Sequence, residues 1–65
     1  MLGRRLYRLR IECGLRRETL AACLRMPVAH VEGHESGTRP IKAHELVAYA
    51  EFFGVPLSSF FRDLS

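Results

Sequence analysis

Arg17-Glu18-Thr19-Leu20-Ala21-Ala22-Cys23-Leu24-Arg25-Met26-Pro27-Val28-Ala29-His30-Val31-Glu32-Gly33-His34-Glu35 is the stretch on which the fold of this 65-residue chain turns. Leu20, Ala21 and Leu24 share one helical face, so the spacing predicts a short helix from Arg17 to Leu24. Arg25-Met26-Pro27 breaks that pattern, because proline is tolerated in the first turn of a helix but not inside one. A second short helix fits Val28 to about Glu35, with Val31 turned inward. It stops in Ser36-Gly37-Thr38-Arg39-Pro40, a loop by composition.

Working outward, Leu2, Leu6, Leu9 and Cys13 recur at spacings of four, three and four, one face of an opening helix that Gly14 would end. Downstream, Leu46, Tyr49, Ala50 and Phe53 line the inner face of a helix from about Lys42 to Phe53, closed by Gly54. Val55-Pro56 then leads into a short last helix around Leu57 to Arg62. Five helices with short turns leave no room for a sheet, so an all-α fold is expected, as one domain over residues 1–65. Cys13 and Cys23 are read as small buried hydrophobes rather than as a disulfide.

The charge is unevenly spread. Residues 1–25 hold Arg4, Arg5, Arg8, Arg10, Arg16, Arg17 and Arg25 against Glu12 and Glu18, a balance of +5. Residues 26–65 come to −2, for a net charge of +3. Nine of the ten cations are arginine, whose planar fork suits phosphate oxygens. A basic stripe on a small domain is the footprint of a nucleic-acid binder. The 48% hydrophobic content is too high for a disordered tail, and no apolar run approaches the ~20 residues of a membrane span. The N-terminal arginines precede no apolar leader segment, so cytoplasmic residence is the expectation.

Two helices joined by a short turn inside a helical domain form the architecture of a major-groove reader. Here the pair spans residues 16–35, and the groove, about 12 Å wide, admits its second helix. With Val31 spent on the core, Val28, Ala29, His30, Glu32 and Gly33 face outward toward bases. Backbone N–H groups at the Arg16-Arg17-Glu18-Thr19 helix start, with the two arginines, suit a phosphate. Arg4, Arg5 and Arg8 are further candidate phosphate contacts, and Thr19 belongs to the same expected interface.

At these residues the chain resembles the XRE family, the repressor-like helix-turn-helix domains of phages and bacteria. The motifs are Gly14-Leu15, Glu18-Thr19-Leu20-Ala21, Val31 followed by Glu35-Ser36-Gly37-Thr38-Arg39-Pro40, and Leu46 with Ala50-Glu51-Phe52-Phe53-Gly54-Val55-Pro56-Leu57 and Phe60-Phe61. The Val-Pro-x-x-x-Phe-Phe ending is similar to an alphaproteobacterial subgroup. The resemblance implies five helices with the third in the major groove, Arg17 on a phosphate or base, and Thr38 and Arg39 on the DNA backbone. It also implies a structural pair between Arg10 and Glu35. Two departures stand out. Arg17 replaces the usual glutamine, and Arg25 replaces a turn glycine. A left-handed arginine there would cost ~1 kcal/mol or more, so the turn is expected to be built differently.

Other signals carry less. His30 and His34 sit at i and i+4, but two histidines alone bind zinc weakly, so no metal is expected, and His34 is read as a packing residue. There is no nucleophile beside a base and no phosphate-cradling glycine loop. No enzyme activity, cofactor or small-molecule ligand is therefore expected. Phe52, Leu57, Phe60 and Phe61 form a candidate apolar partner surface, which suits a homodimer on duplex DNA. The outward residues of the third helix fit apolar contact better than a hydrogen-bonded code. That keeps a rival open: an interaction module that retained the fold, lost specific readout and works through the C-terminal aromatic face.

Overall fold

The opening residues Leu2–Glu12 form α1, with Leu6 and Leu9 buried as their spacing requires. This is a computed structural model that describes the backbone of residues 2–64 and the side chains of residues 2–61. Gly14 takes φ 71° beyond the end of α1, and the Leu15 N–H reaches back 3.1 Å to the Arg10 carbonyl, a closure that uses an otherwise unpaired helix-end acceptor. Cys13 therefore lies outside the helix and is exposed, because the inward period stops with α1. Cys23 is exposed as well, at the last turn of α2. Both expected burials are thus corrected, and both thiols are free.

Helix α2 runs Arg17–Cys23 and buries Leu20 and Ala21. The turn that follows differs from expectation. Arg25 does adopt a left-handed conformation, with φ 56°, where a glycine would be unstrained. The gain is the same closure as at Gly14: the Met26 N–H reaches the Ala21 carbonyl at 3.0 Å. Arginine thus carries the strain of a turn whose shape the two flanking helices dictate.

Helix α3 runs Val28–Ser36, with Pro27 just before it at φ −61°. α4 runs Ala43–Phe53, and its first turn is held by the Lys42 N–H donating to Glu45 Oε1 at 2.8 Å. The closing element, Leu57–Leu64, is a 3-10 helix rather than a fifth α-helix. The described residues therefore form four α-helices, one 3-10 helix and no strand. None of these helices is long and apolar enough to cross a membrane.

α1 packs on α3 and on the 3-10 helix, α2 packs on α3, and α4 meets the 3-10 helix. Leu6, Leu9, Leu20, Ala21, Val31, Leu46, Tyr49, Ala50 and Phe60 make one core. Gly3 sets the approach of α1 to α3, since a Cβ there would stand 2.7 Å from the Glu35 carbonyl oxygen and closer still to that of His34. Those obstacles are backbone atoms of a packed helix, so they cannot rotate away. Phe60 is 1% exposed and belongs to this core rather than to the candidate partner surface. The tight 3-10 winding sends adjacent Phe60 and Phe61 in different directions, so burying one exposes the other.

Candidate nucleic-acid interface

The interface is organised around one carboxylate. Glu35, in the last turn of α3, accepts 2.6 Å and 3.1 Å hydrogen bonds from Nε and Nη2 of Arg10. Arg10 also donates from Nη1 to the Leu15 carbonyl at 2.7 Å, which ties the loop before α2 to α1. Arg17, at the start of α2, donates from Nε to the same carboxylate at 3.1 Å. The side chains of Arg10 and Glu35 are 7% and 4% exposed, while that of Arg17 is 44% exposed. The Glu35 carboxylate raises the already high pKa of Arg10 by accepting its hydrogen bonds, an effect larger than the opposing burial. One charge thus fastens α1, α2 and α3, with its outer ligand open to solvent.

The other expected phosphate contacts are distributed unequally. Arg4 and Arg8 are exposed on α1, four residues apart, whereas Arg5 is half-buried with its Nε covered. Arg16 and Thr19 are exposed at the start of α2. Arg25 was not among the expected contacts, yet it stands exposed in the turn between the two helices. Its residue type argued against the left-handed turn, and only packing of α2 on α3 overrides that preference.

On α3, Ala29 and Glu32 are exposed, while Val28, His30 and Gly33 are half-buried. Val28 rests against the core cluster, so the base-facing surface is narrower than the sequence suggests. His34 is buried, its Nδ1 is hydrogen-bonded to the Tyr49 hydroxyl at 2.8 Å, and its ring centroid stands 6.4 Å from that of His30. Thr38 is exposed and shares a 2.9 Å hydrogen bond with Ser36, and Arg39 lies against Gly33. Phe52, Leu57 and Phe61 are exposed.

A short helix laid across a second one, with an arginine at the start of the first and an open outer face on the second, is the arrangement that enters a major groove. The helix-turn-helix domain family matches residues 1–59, nearly the whole chain. The chain belongs to the helix-turn-helix domain family, in its XRE and Cro-like class. No curated protein and no solved structure matches it. Membership implies DNA binding, and domains of this family are typically non-enzymatic.

Proposed function

We propose that this helix-turn-helix domain regulates transcription by binding specific duplex DNA as a homodimer, with α3 in the major groove. The observation that carries the reading is the Arg17–Glu35 contact. It holds a half-exposed guanidinium at the start of α2, against the last turn of α3. One guanidinium edge is engaged with Glu35, which leaves the remaining N–H groups for a phosphate. Arg4, Arg8, Arg16 and Thr19 add backbone contacts, as does Thr38. Half-buried Arg5 contributes charge more than contact. Ala29 meets thymine methyl groups, Glu32 accepts from a cytosine amine, and His30 reads from the edge of the helix.

The test is Arg17→Ala titrated against salt on a duplex selected from a random pool. Binding should weaken on all sequences alike, and the slope of log affinity against log salt should drop by about one. Affinity unchanged across salt would remove Arg17 from the interface and with it this placement of the helix pair.

A second reading rests on the exposed Phe52, Leu57 and Phe61. They fit a protein partner, either the second subunit of a dimer or a different chain bound by a domain that no longer reads DNA. Phe52→Glu should abolish self-association in sedimentation and weaken binding to a two-fold site. If it abolishes capture of another protein while random duplexes enrich no consensus, the interaction module is the correct reading.

A further inference from the structure

The outer face of α3 is short of hydrogen-bond donors. Its exposed residues include Ala29 and Glu32, its flanks are half-buried Val28 and His30, and Gly33 has no side chain. None of these offers the two-donor fork that engages guanine O6 and N7 together.

The loop after α3 brings one. The Gly33 carbonyl accepts the N–H of Gly37 at 3.0 Å and that of Arg39 at 3.1 Å, which turns the chain back over the end of the helix. A Cβ built on Gly33 would stand 2.7 Å from Arg39 Cβ and 3.6 Å from its Cδ. The stem of Arg39 therefore occupies the space in which a side chain at position 33 would begin. Residues four apart on a helix are about 40° from each other, so Gly33 shares the outward side with exposed Ala29. Arg39 is itself exposed, and its charge is near enough to buried His34 to oppose protonation of that ring.

We infer that Arg39 is the guanine-reading side chain of the α3 face, supplied by the loop, and that Gly33 is glycine to admit it. The inference rests on the DNA-binding reading above and assigns a specificity residue within it. It also explains a glycine in the middle of a short helix, where alanine would be favoured by about 1 kcal/mol. Replacing the hydrogen of Gly33 by a methyl group forces Arg39 Cβ aside, and because that atom is anchored to the loop backbone, the whole loop must shift.

The experiment selects duplexes from a random pool with the unaltered protein, then compares Arg39→Ala and Gly33→Ala on the winner and on its single-base variants. Circular dichroism confirms that each variant is folded. The expected consensus contains a guanine whose preference falls about tenfold or more in Arg39→Ala while other positions keep theirs. Gly33→Ala, which leaves Arg39 in the chain but moves it, should lose the same preference. If Arg39→Ala instead weakens every sequence equally and lowers the salt slope by about one, Arg39 is a phosphate contact and the inference is overturned. It is equally overturned if Gly33→Ala keeps the preference, or if the unaltered protein binds duplex DNA without a consensus. Absence of any duplex binding by the unaltered protein would overturn the proposed function itself, a result distinct from the others.

Discussion

The Nδ1 of His34 and the hydroxyl of Tyr49 lie 2.8 Å apart in the middle of the core, joining α3 to α4. The Tyr49 hydroxyl donates onward to Met26 Sδ at 3.4 Å, so the turn before α3 belongs to the same chain of contacts. On the other side of the ring, Nε2 stands 3.4 Å from Glu45 Oε1. The two rings meet edge to face, with centroids 5.7 Å apart. Burial pushes the Tyr49 hydroxyl far above its ordinary range, so it stays a neutral donor at any working pH.

His34 makes the fold sensitive to mild acid. Burial lowers its pKa below the ordinary 6.5; Glu45 opposes this, and the charges of Arg39 and His30 add to it. The unfolded chain therefore takes up a proton at this ring before the folded one does. Stability is at full value above 6.5 and falls as pH drops below it, until the folded-state value is passed. Glu45 acts lower. Burial would raise its pKa, but the Lys42 N–H together with His34, His44 and Lys42 holds it below 4.5, so its contribution is lost only in stronger acid. Thermal melts should show a lower Tm at about pH 5.5 than at about pH 7.5. His34→Leu should remove most of that difference; an unchanged slope would place the titrating group elsewhere.

Tyr49→Phe keeps the ring and deletes the hydroxyl, leaving buried Nδ1 of His34 without its partner. The expected loss is about 1–3 kcal/mol of unfolding free energy, read from urea melts. Because the contact joins α3 to α4, hydrogen exchange should quicken in α3 beyond the global change.

Arg10 and Arg17 bind the same carboxylate and should differ sharply in value. Arg10→Ala leaves the buried Glu35 carboxylate to half-exposed Arg17 alone and the Leu15 carbonyl without this donor, and should destabilise by about 3 kcal/mol, a large share of the stability of a domain this small. Arg17→Ala, at the open end of the pair, should change stability by less than about 1 kcal/mol. Parallel denaturant titrations decide it, and equal losses would show that Arg17 is structural rather than poised for a ligand.

Arg25 holds a left-handed conformation that glycine adopts freely. Arg25→Gly relieves about 1–2 kcal/mol of strain and returns part of it as unfolded-chain entropy, so a net gain of up to about 1 kcal/mol is expected. For a domain of this size that is a rise in Tm of roughly 4–8 °C. DNA affinity should fall in the same variant if the turn arginine touches a phosphate. A gain in Tm with unchanged affinity would make Arg25 a passive bearer of strain.

Helix positions were largely legible because their signals are local. Leu6 and Leu9, Leu20 and Ala21, and Leu46, Tyr49 and Ala50 fall inward at the predicted spacing. Gly14 and Gly54 also mark ends where they were expected. Errors arose where a pattern was extended past its element, as at Cys13, or where neighbours competed for one buried place, as at Phe60 and Phe61. Arg25 shows the converse: an intrinsic preference read correctly and then overruled by the packing of two helices. The candidate site is less legible, since Val28 rests on the core despite its outward spacing, and nothing local to Arg39 signals that it crosses Gly33.

By itself the sequence determined an all-helical chain, the order and approximate limits of its helices, and a cationic N-terminal half. Those properties follow from periodicity, breakers and charge within a few residues of each position. Only the tertiary structure decided that Arg10 and Arg17 share Glu35, that His34 meets Tyr49, which phenylalanine is buried, and where the Arg39 side chain lies. Each depends on groups far apart in the chain, whose meeting is set by how closely helices approach and by which side chains yield space, as Gly3 and Gly33 do.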